Sequence, residues 1–531
     1  MFFRSINERK RSLIGDHSPH GSEGVRFHTR LKTTVDRRPR GPQDRFGFGF
    51  GTSAHSRTHA TPPHRRREGI TMSSPLPPQT SPRELRRIIT ASSTGTLIEW
   101  YDFFIYGSLA VVFSGFFFPS GESSLALLVS VAAFGTGFVV RPLGALFFGR
   151  LGDRVGRKKT FLATLIVMGA ATTLIGCLPK YDTIGTAAPV LLVLLRLLQG
   201  FAVGGEYGGA ATYVAEHSPA DRKGLFTSFL QTTASLGMLL SLGVVVACRL
   251  LLGEEAFTSW GWRLPFLLSA VLVVLSLRLR LKLHESPVFA RMQAQGTLSK
   301  APIRETLGDR QSLGLVLLTL FGLTAGLGAV WYTSQFYALY FLQSVLKVDF
   351  LTTNICMAVA LVLGTPSYIL FGRLSDRYGR QPVIVAGLAL SAVSFLPLYA
   401  WIREAAADRS WAQVVVAVTL QIVFSAMVYA PTAAWLTELF PPRIRYTGLS
   451  VSYHLGAGVF GGFMPLIALS LTASTGNQLA GLAYPIAVAA VSTVVSVTLL
   501  RGGRDNRLVR AVWARYGTPD RAASPEPAPA K

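Results

Sequence analysis

The chain has 531 residues, of which 50% are hydrophobic and only 15% are charged, with a formal net charge of +24 at pH 7. The charges lie in short clusters between apolar runs of about 20 residues, a length that crosses a bilayer as a helix. This distribution excludes an array of soluble domains, and without a folded basic face it argues against a nucleic-acid-binding protein. The chain is predicted to be a polytopic membrane protein.

The N-terminal segment is polar and basic. Residues 1–71 hold 15 Lys and Arg against 6 Asp and Glu, with almost no apolar periodicity. This composition is typical of disorder, so residues 1–90 are predicted to be a disordered basic tail. A polar stretch typical of a cytoplasmic N-terminus follows Met72, and we expect that translation starts there. The alternative is that the tail binds anionic lipid.

Twelve apolar stretches follow from about residue 90. Helices are expected, because backbone groups in hydrocarbon must be hydrogen-bonded within their own segment. The predicted spans cover residues 91–118, 125–149, 160–178, 189–216, 226–252, 263–283, 313–342, 351–372, 382–402, 411–439, 447–471 and 482–500.

The longest internal connection, at 284–312, divides the spans into two groups of six. We therefore predict an all-α membrane fold with one bundle at 91–283, a cytoplasmic linker, a second bundle at 313–500 and a cytoplasmic tail at 501–531. Four short connections on one side hold twelve Lys and Arg, whereas all six on the other side hold about four. The positive-inside rule then places both termini in the cytoplasm and the chain in the cell membrane.

A charged, glycine-containing sequence motif occurs twice. GRLGDRVGRKK begins at Gly149, between spans two and three, and GRLSDRYGRQP begins at Gly372, between spans eight and nine. Both copies occupy the same place in their halves. The repeat predicts two pseudo-symmetric six-helix bundles of one duplicated design.

Five further stretches carry a resemblance to a known family. They are IEWYDFFIYG at 98–107, RPLGALFFGRLGDRVGRK at 141–158, RLLQGFAVGGEYGGAATYVAEHSP at 196–219, HESPVF at 284–289 and ELFPPRIRYTG at 438–448. With the repeated loop, they resemble the major facilitator superfamily. Within it they resemble the metabolite:proton symporters, a group that includes proline/betaine, α-ketoglutarate and shikimate carriers.

The resemblance covers about residues 90–500 and implies a secondary active transporter driven by a proton gradient, with no other cofactor. Its expected partners are a small-molecule substrate, the proton and the lipid bilayer, and it is expected to act as a monomer. Span five lacks the proline-containing pattern of the superfamily's antiporters, which argues against an exporter. The C-terminal tail is short, so osmotic gating is not expected.

Five charged residues lie deep within the first, second and fourth spans: Glu99, Asp102, Arg141, Arg196 and Glu206. A charge at the bilayer centre costs about 2.5–3.5 kcal/mol on insertion scales, so such residues are typically functional. Glu99 and Asp102 are three residues apart and share a helix face. We predict a central network that couples transport to protons, a role that the resemblance implies for Arg196. The alternative is a static set of ion pairs that fixes the bundle.

The C-terminal half has few deep charges and offers aromatic and amide side chains instead. Ten residues from both halves are predicted to line the substrate pocket: Tyr106, Gln199, Tyr207, Gln231, Trp331, Tyr332, Gln335, Tyr337, Tyr429 and His454. For each aromatic residue alone, packing or an interfacial position is the alternative. For His454 the alternative is a hydrogen-bonded core histidine.

The repeated loop is predicted to be a cytoplasmic gate. Asp153 can accept hydrogen bonds from free N–H groups of a neighbouring helix, and the loop cations can pair with acids such as Glu438. Contacts that exist in one conformation only shift the balance between states; the alternative is that the positive loops merely set topology. The predicted gate residues are Gly149, Asp153, Arg154, Gly156, Arg157, Asp376, Arg377, Arg380 and Glu438.

The sequence favours a proton-coupled importer of a small polar metabolite, either an organic acid or a zwitterionic osmolyte. The alternatives are a proton-coupled exporter of metabolites or drugs and a sensor that binds without transporting. An enzyme is not expected, because the sequence shows no catalytic triad, metal cluster or nucleotide loop. Cys177, Cys248 and Cys356 lie alone, without metal-ligand spacing.

Overall fold

The computed structural model describes residues 82–118, 123–281 and 286–517, and these residues form helices and short connections with no strand. Twelve helices among them are long and apolar enough to cross a membrane, which confirms the predicted fold class. In chain order these spans, α1 to α12, are Arg83–Phe117, Leu125–Val155, Lys158–Gly176, Ala187–His217, Lys223–Leu252, Gly261–Arg278, Arg310–Val345, Phe350–Tyr378, Arg380–Ala407, Trp411–Leu439, Arg445–Thr475 and Ala480–Thr498.

The helix that contains α1 begins at Pro82 rather than at residue 91. Residues 82–90 are therefore helical, which corrects the predicted extent of the disordered tail. Proline suits the first turn of a helix, where its missing N–H would have no partner, and Glu84 lies where the helix dipole favours an acid. The predicted disorder of residues 1–71 and the expected start at Met72 lie outside the described residues.

The connection between α6 and α7, predicted as a linker at 284–312, contains two short helices, Pro287–Ala294 and Pro302–Leu307. Each helix begins at a proline, and the Ser286 side chain accepts a hydrogen bond from the Phe289 N–H at the start of the first one. The linker is therefore partly helical.

The predicted C-terminal tail contains a packed helix, Arg507–Tyr516. Val509 and Val512 on one side of this helix are buried, and Trp513 Nε1 donates a hydrogen bond of 2.9 Å to the carbonyl of Leu439 at the end of α10. The part of the tail up to residue 517 is thus folded against the membrane-spanning region.

Two spans depart from regular α-helix near the middle of the molecule. α7 contains wide π-helical turns at Leu320–Thr324, Thr333–Tyr337 and Phe341–Val345, and α11 contains one at His454–Gly461. Such turns hold an extra residue and occur frequently at functional sites. They lie in the two spans that contribute most of the aromatic residues described below.

Glycines allow α2 and α4 to contact through their backbones. A Cβ atom at Gly200 would overlap the carbonyl of Gly137, and a Cβ at Gly204 would overlap the carbonyl of Arg141. Small residues four apart permit this approach between membrane helices. The approach holds α2, and with it Arg141, against α4.

Candidate transport site

A small cavity of about 10 Å³, close to the least volume that holds one water molecule, lies between the two halves of the molecule. Five of its lining side chains are aromatic, and no lining residue is charged. The lining residues are Trp100, Ala234, Gly328, Trp331, Tyr332, Tyr429, Tyr453 and Ala457. α1 and α5 of the N-terminal half contribute one residue each, and α7, α10 and α11 of the C-terminal half contribute the rest.

Hydrogen bonds hold the tyrosine side of this cavity in place. The hydroxyls of Tyr429 and Tyr453 lie 2.8 Å apart, and the Tyr207 ring stacks on Tyr453 with 3.5 Å between ring centroids. Gln231 Nε2 donates to the Tyr207 hydroxyl at 2.8 Å and to the Tyr429 carbonyl at 3.2 Å. Tyr207 and Gln231 therefore support the wall from behind.

The tryptophan side is braced in the same way. Trp331 Nε1 donates to the Tyr368 hydroxyl at 3.1 Å, and Ser235 Oγ donates to the same hydroxyl at 3.0 Å. Gln335 Nε2 in turn donates to Ser235 Oγ at 3.3 Å. This chain of bonds joins α7 and α8 of the C-terminal half to α5 of the N-terminal half.

Arg141 lies beside the cavity, fully buried. Its guanidinium carbon lies 4.1 Å from the ring centroids of both Phe103 and Phe138, and its side chain contacts the cavity residue Tyr332. Its Nε and Nη2 atoms have no hydrogen-bond partner in the part of the chain that the structure describes. A buried cation with donors to spare is suited to bind an anionic group.

Arg196 is also fully buried and is held by neutral groups. Its Nη1 donates to Gln199 Oε1 at 2.7 Å, and its guanidinium lies over the rings of Phe103 and Tyr106, 4.4 and 4.7 Å from the centroids. Gln199 Nε2 donates to Thr172 Oγ1 at 2.7 Å. Arg196 makes no ion pair among the described residues.

Glu99 and Glu206 pair with a residue that the sequence analysis missed. Arg280, near the end of the helix Leu264–Leu281, contacts Glu99 Oε1 through Nη2 and lies 2.7 Å from Glu206 Oε1 through Nη1. All three side chains are 4% exposed. Arg280 lies in the motif LRLRL at the predicted end of span six, where it resembles an interfacial anchor.

Asp102 lies within electrostatic range of Glu99 and Glu206 but takes no part in their ion pairs with Arg280. It is completely buried, makes no ion pair within the described ranges, and faces the hydroxyl of Ser269 on α6. The predicted single network of five charges is therefore wrong in its geometry. The charges form an Arg141 site, an Arg196 site, a Glu99–Arg280–Glu206 cluster and a lone Asp102.

The remaining predicted lining residues are distributed around this core. The Tyr106 hydroxyl donates to the Ser130 carbonyl at 3.1 Å, and the Tyr337 hydroxyl lies 3.4 Å from Thr472 Oγ1, away from the cavity. His454 is buried next to Tyr453, and neither ring nitrogen has a hydrogen-bond partner among the described residues, which differs from the hydrogen-bonded histidine considered above. Trp331, Tyr332 and Tyr429 are the predicted candidates on the cavity wall.

Trp100 and Tyr453 on the wall were not predicted. Trp100 was hidden within the aromatic run EWYDFF, and Tyr453 directly precedes His454 in YHLGAG. In each run, the sequence does not distinguish which of several aromatic residues faces the cavity, because that depends on how the helix is rotated about its axis. Only the packing of α1 and α11 selects which ring faces the cavity.

The face that carries the two repeated loops, at 149–159 and 372–381, is here called the loop face. There the halves are joined between α2 and α11, where the Thr447 hydroxyl donates to Asp153 Oδ2 at 2.9 Å. The Tyr446 hydroxyl donates to the Gly205 carbonyl nearby. Gly149 also packs against Thr447.

The second loop joins the halves through a helix N-terminus. Asp376 accepts hydrogen bonds of 2.8 Å from the backbone N–H groups of Gly224 and Leu225, at the start of α5. Arg380 pairs with Asp376 at 2.5 Å and with Glu438 at 3.4 Å. The expected pairing of Glu438 with the first loop is corrected, because its described ion pair is with Arg380 of its own half.

Further gate candidates make contacts that do not cross between the halves. Arg154 donates to the Lys300 carbonyl in the linker, and the Arg377 guanidinium lies 5.4 Å from the Tyr378 ring centroid. The Arg157 side chain lies outside the described part of the structure.

Gly156 and Gly379 show that the two loops share one backbone geometry. Their φ angles are +114° and +93°, and each glycine separates two helices at the same place in its half. Side chains with a Cβ atom rarely adopt these angles. The glycine of the repeated motif is thus required by the turn between the second and third helix of each half.

Aromatic residues join the halves on the face opposite the loop face. The Tyr340 hydroxyl donates to the Gly107 carbonyl at 2.8 Å, and the Phe336 ring lies 5.1 and 5.2 Å from the rings of Phe104 and Phe134. The cavity therefore has contacts between the halves on both sides, as in an occluded state of a carrier.

Comparison with known proteins agrees with this architecture. Residues 88–313 match the family described as Sugar (and other) transporter, and residues 329–514 match the Major Facilitator Superfamily. The α-ketoglutarate permease of Escherichia coli K12 is 34% identical over 439 residues, which cover 83% of this chain and 99% of the permease. The proline/betaine transporter of the same strain is 34% identical, covering 78% and 83%, and the shikimate transporter is 35% identical, covering 78% and 94%.

Solved structures show the same fold. The proton:xylose symporter XylE bound to 6-bromo-6-deoxy-D-glucose superposes with a TM-score of 0.61 at 17% identity, covering 81% of this chain and 99% of that one. A partially occluded, inward open form of XylE from E. coli gives 0.56 at 17% identity, covering 79% and 97%. The predicted resemblance is confirmed, and the family and these relatives are membrane transporters rather than enzymes. The chain therefore belongs to the major facilitator superfamily.

Proposed function

We propose that this protein imports a small metabolite that bears a carboxylate, together with a proton, by alternating access. The observation that carries the proposal is Arg141, a buried cation with unused donors beside the small cavity between the halves. A carboxylate that entered the cavity would supply the partner that Arg141 Nε and Nη2 lack within the described structure. A charge-assisted hydrogen bond of this kind contributes about 1.5–3 kcal/mol.

The substrates named for the relatives support this chemistry. α-Ketoglutarate, proline, betaine and shikimate differ in size and shape, but each carries a carboxylate. The aromatic cavity wall supplies apolar surface for the rest of the molecule, so the carboxylate is the feature that Arg141 would recognise. We propose an organic acid or a zwitterion as the substrate class.

Asp102 supports the proton coupling. A carboxylate in this position, without an ion-pair partner in the described chain, costs at least about 2.5 kcal/mol when it is ionised in the membrane interior. Protonation removes that cost. A carboxyl group that gains a proton in one state of the carrier and loses it in another would link solute movement to the proton gradient.

The contacts between the halves support the alternating-access part of the proposal. Both copies of the repeated loop join the halves at the loop face, and aromatic contacts join them on the other side of the cavity. Rocking of the two bundles about a midplane site would open one set while the other stays closed. We place the loop face in the cytoplasm on the positive-inside rule, and we propose that one chain is sufficient, with the proton gradient as the energy source.

Uptake into proteoliposomes with an imposed pH gradient tests the proposal. The probes are labelled α-ketoglutarate, proline, glycine betaine and shikimate, and we expect the wild-type protein to accumulate at least one of them. Collapse of the pH gradient with a protonophore is expected to abolish the accumulation. Uptake that is unaffected by the protonophore would rule out proton coupling.

Asp102→Asn tests the assignment of the proton site. The amide cannot carry the proton, so we expect gradient-driven accumulation to fall about tenfold or more, while exchange of labelled for unlabelled substrate persists. An Asp102→Asn protein that still accumulates its substrate as the wild type does would contradict the role of Asp102.

A further inference from the structure

We infer that Glu99, Glu206 and Arg280 form a second proton site, in which the two carboxyl groups share one proton that is released toward the loop face. This inference rests on the proposed proton-coupled function. It assigns a role to Arg280, and it separates the two glutamates from Asp102, which lies deeper on α1.

The geometry joins three helices at one point. Arg280, in the helix Leu264–Leu281 and two residues beyond the end of α6, reaches Glu206 on α4 at 2.7 Å and Glu99 on α1 with its other terminal nitrogen. The arginine side chain occupies the space over Gly95, where a Cβ atom would overlap Nε, and lies 5.1 Å from the ring centroid of Phe161. Gly95 and Phe161 therefore shape a recess that fits a single guanidinium.

The charge balance requires a proton. The charged groups that face this recess from α1, α4 and the helix Leu264–Leu281 are Glu99, Glu206, Arg280 and, further along α1, Asp102. One guanidinium compensates one carboxylate, and a second buried carboxylate beside it would be an uncompensated charge, which costs several kcal/mol. One of the two glutamates is therefore neutral while the site is closed.

The two carboxyl groups are held by one guanidinium and are close enough to interact with each other. Two carboxylates in contact repel, whereas a carboxylic acid donates a hydrogen bond to a carboxylate, so the contact is attractive only when one proton is present. A purely structural ion pair would need a single acid. The second acid is the feature that a static pair leaves unexplained.

The position of the site indicates where the proton goes. On α1, Glu99 lies on the loop-face side of Asp102, and on α4, Glu206 lies on the loop-face side of Arg196. Arg280 is adjacent to Leu281, whose carbonyl accepts a hydrogen bond of 2.8 Å from Lys158 of the first repeated loop. When the loop face opens, water can reach the site and accept the proton, and the resulting carboxylate is then hydrated.

Single glutamine variants test the inference in proteoliposomes with the four labelled probes. Glu206→Gln and Glu99→Gln each retain one carboxylate for Arg280 and mimic the protonated partner. We expect exchange of labelled for unlabelled substrate to stay within about twofold of the wild type, because exchange needs no net proton movement. Gradient-driven accumulation is expected to fall about tenfold or more. Glu254→Gln, at an exposed ion pair with Arg249, is the matched control. It is expected to change neither substrate exchange nor gradient-driven accumulation.

If both variants accumulate substrate as the wild type does, the site is a static ion pair and the inference is wrong. Equal loss of exchange and accumulation in both variants would also indicate a structural role. If the wild type itself accumulates none of the four probes, the proposed import function fails, and the shared proton is then tested without substrate.

That second test is infrared spectroscopy of the purified Asp102→Asn protein, in which the deeper carboxyl is absent. We expect a carbonyl band of a buried carboxylic acid that disappears as the pH is raised, and that is missing when Glu206→Gln is added. A spectrum without such a band at any pH in the Asp102→Asn protein would overturn the shared proton whatever the transport results.

Discussion

The two halves of the molecule share a fold and a repeated loop, but their interiors differ. The N-terminal half buries seven charged side chains: Glu99, Asp102, Arg141, Asp153, Arg196, Glu206 and Arg280. In the described C-terminal half, the buried charged side chain is Arg445, which lies at the loop face and pairs with Glu216 at 3.0 Å. Tyrosine, tryptophan and amide side chains fill the corresponding interior.

The difference shows how the two halves of a duplicated fold can take on different functions. Buried charges are costly, and placing them in one bundle allows the other to be packed with rings and hydrogen-bonded hydroxyls. On this basis the N-terminal half would bind the carboxylate and the proton, and the C-terminal half would set the shape of the cavity. The following substitutions test that division, beginning with the largest expected effect.

Arg141→Gln removes the charge beside the cavity and keeps a hydrogen-bonding group. We expect the affinity for the transported probe to fall by tenfold or more, corresponding to a loss of about 1.5–3 kcal/mol. Isothermal titration calorimetry on the purified protein measures this change. Unchanged affinity would show that the N-terminal half does not bind the carboxylate through Arg141.

The aromatic wall is tested with two ligands of nearly the same shape. Glycine betaine carries a cationic head, and 3,3-dimethylbutyrate carries a neutral one on the same carboxylate. Because the cavity wall has five aromatic rings and no charge, we expect glycine betaine to compete better, by about 0.5–2 kcal/mol.

Trp331→Leu should reduce that preference without affecting proton-driven accumulation of the better ligand. Equal competition by the two compounds in the wild type would show that the C-terminal half contributes apolar surface alone, and would favour an organic acid over a zwitterion as substrate.

The two loop copies provide the third comparison. Asp376 accepts two backbone N–H groups of α5, whereas the cross-half contact described for Asp153 is with one hydroxyl. Loss of a helix cap costs about 1 kcal/mol, so Asp376→Ala, which removes both acceptor oxygens, is expected to raise the population with an open loop face about fivefold, and Asp153→Ala to raise it less.

The readout is the rate at which a thiol reagent labels a cysteine introduced at Ser228, which packs against Gly372 at this contact. The Ser228→Cys change is made in a variant without the three native cysteines. Equal rates in Asp376→Ala and in its parent would show that the second loop does not hold the closed state.

The fold was predictable because its signals are long and repeated. Twelve apolar runs and two copies of one charged motif indicated the spans and the duplication, and the glycine of the motif has a similar positive φ angle in both copies. Span ends were less predictable, because the helix that begins at Pro82 starts in polar sequence whose helicity depends on packing.

The site was predictable in its residue types and not in its pairings. Glu99 and Glu206 stand out as charges in apolar sequence, but their partner Arg280 lies where positive residues are common at membrane interfaces. Only the tertiary arrangement of α1, α4 and α6 shows that this arginine points inward. The aromatic residues of the cavity were ambiguous for the same reason, since neighbouring rings on one helix differ only in direction.

The contacts between the halves on both sides of the cavity have a consequence for the rate of transport. Under the proposed mechanism, one substrate molecule crosses the bilayer in each transport cycle. Each cycle requires a rigid-body movement of the two helix bundles, a motion on the microsecond-to-millisecond scale or slower. An open pore has no such limit. A cell that needs a higher maximal rate of transport must therefore make more copies of the protein, because a steeper substrate gradient cannot widen a passage that is never continuous.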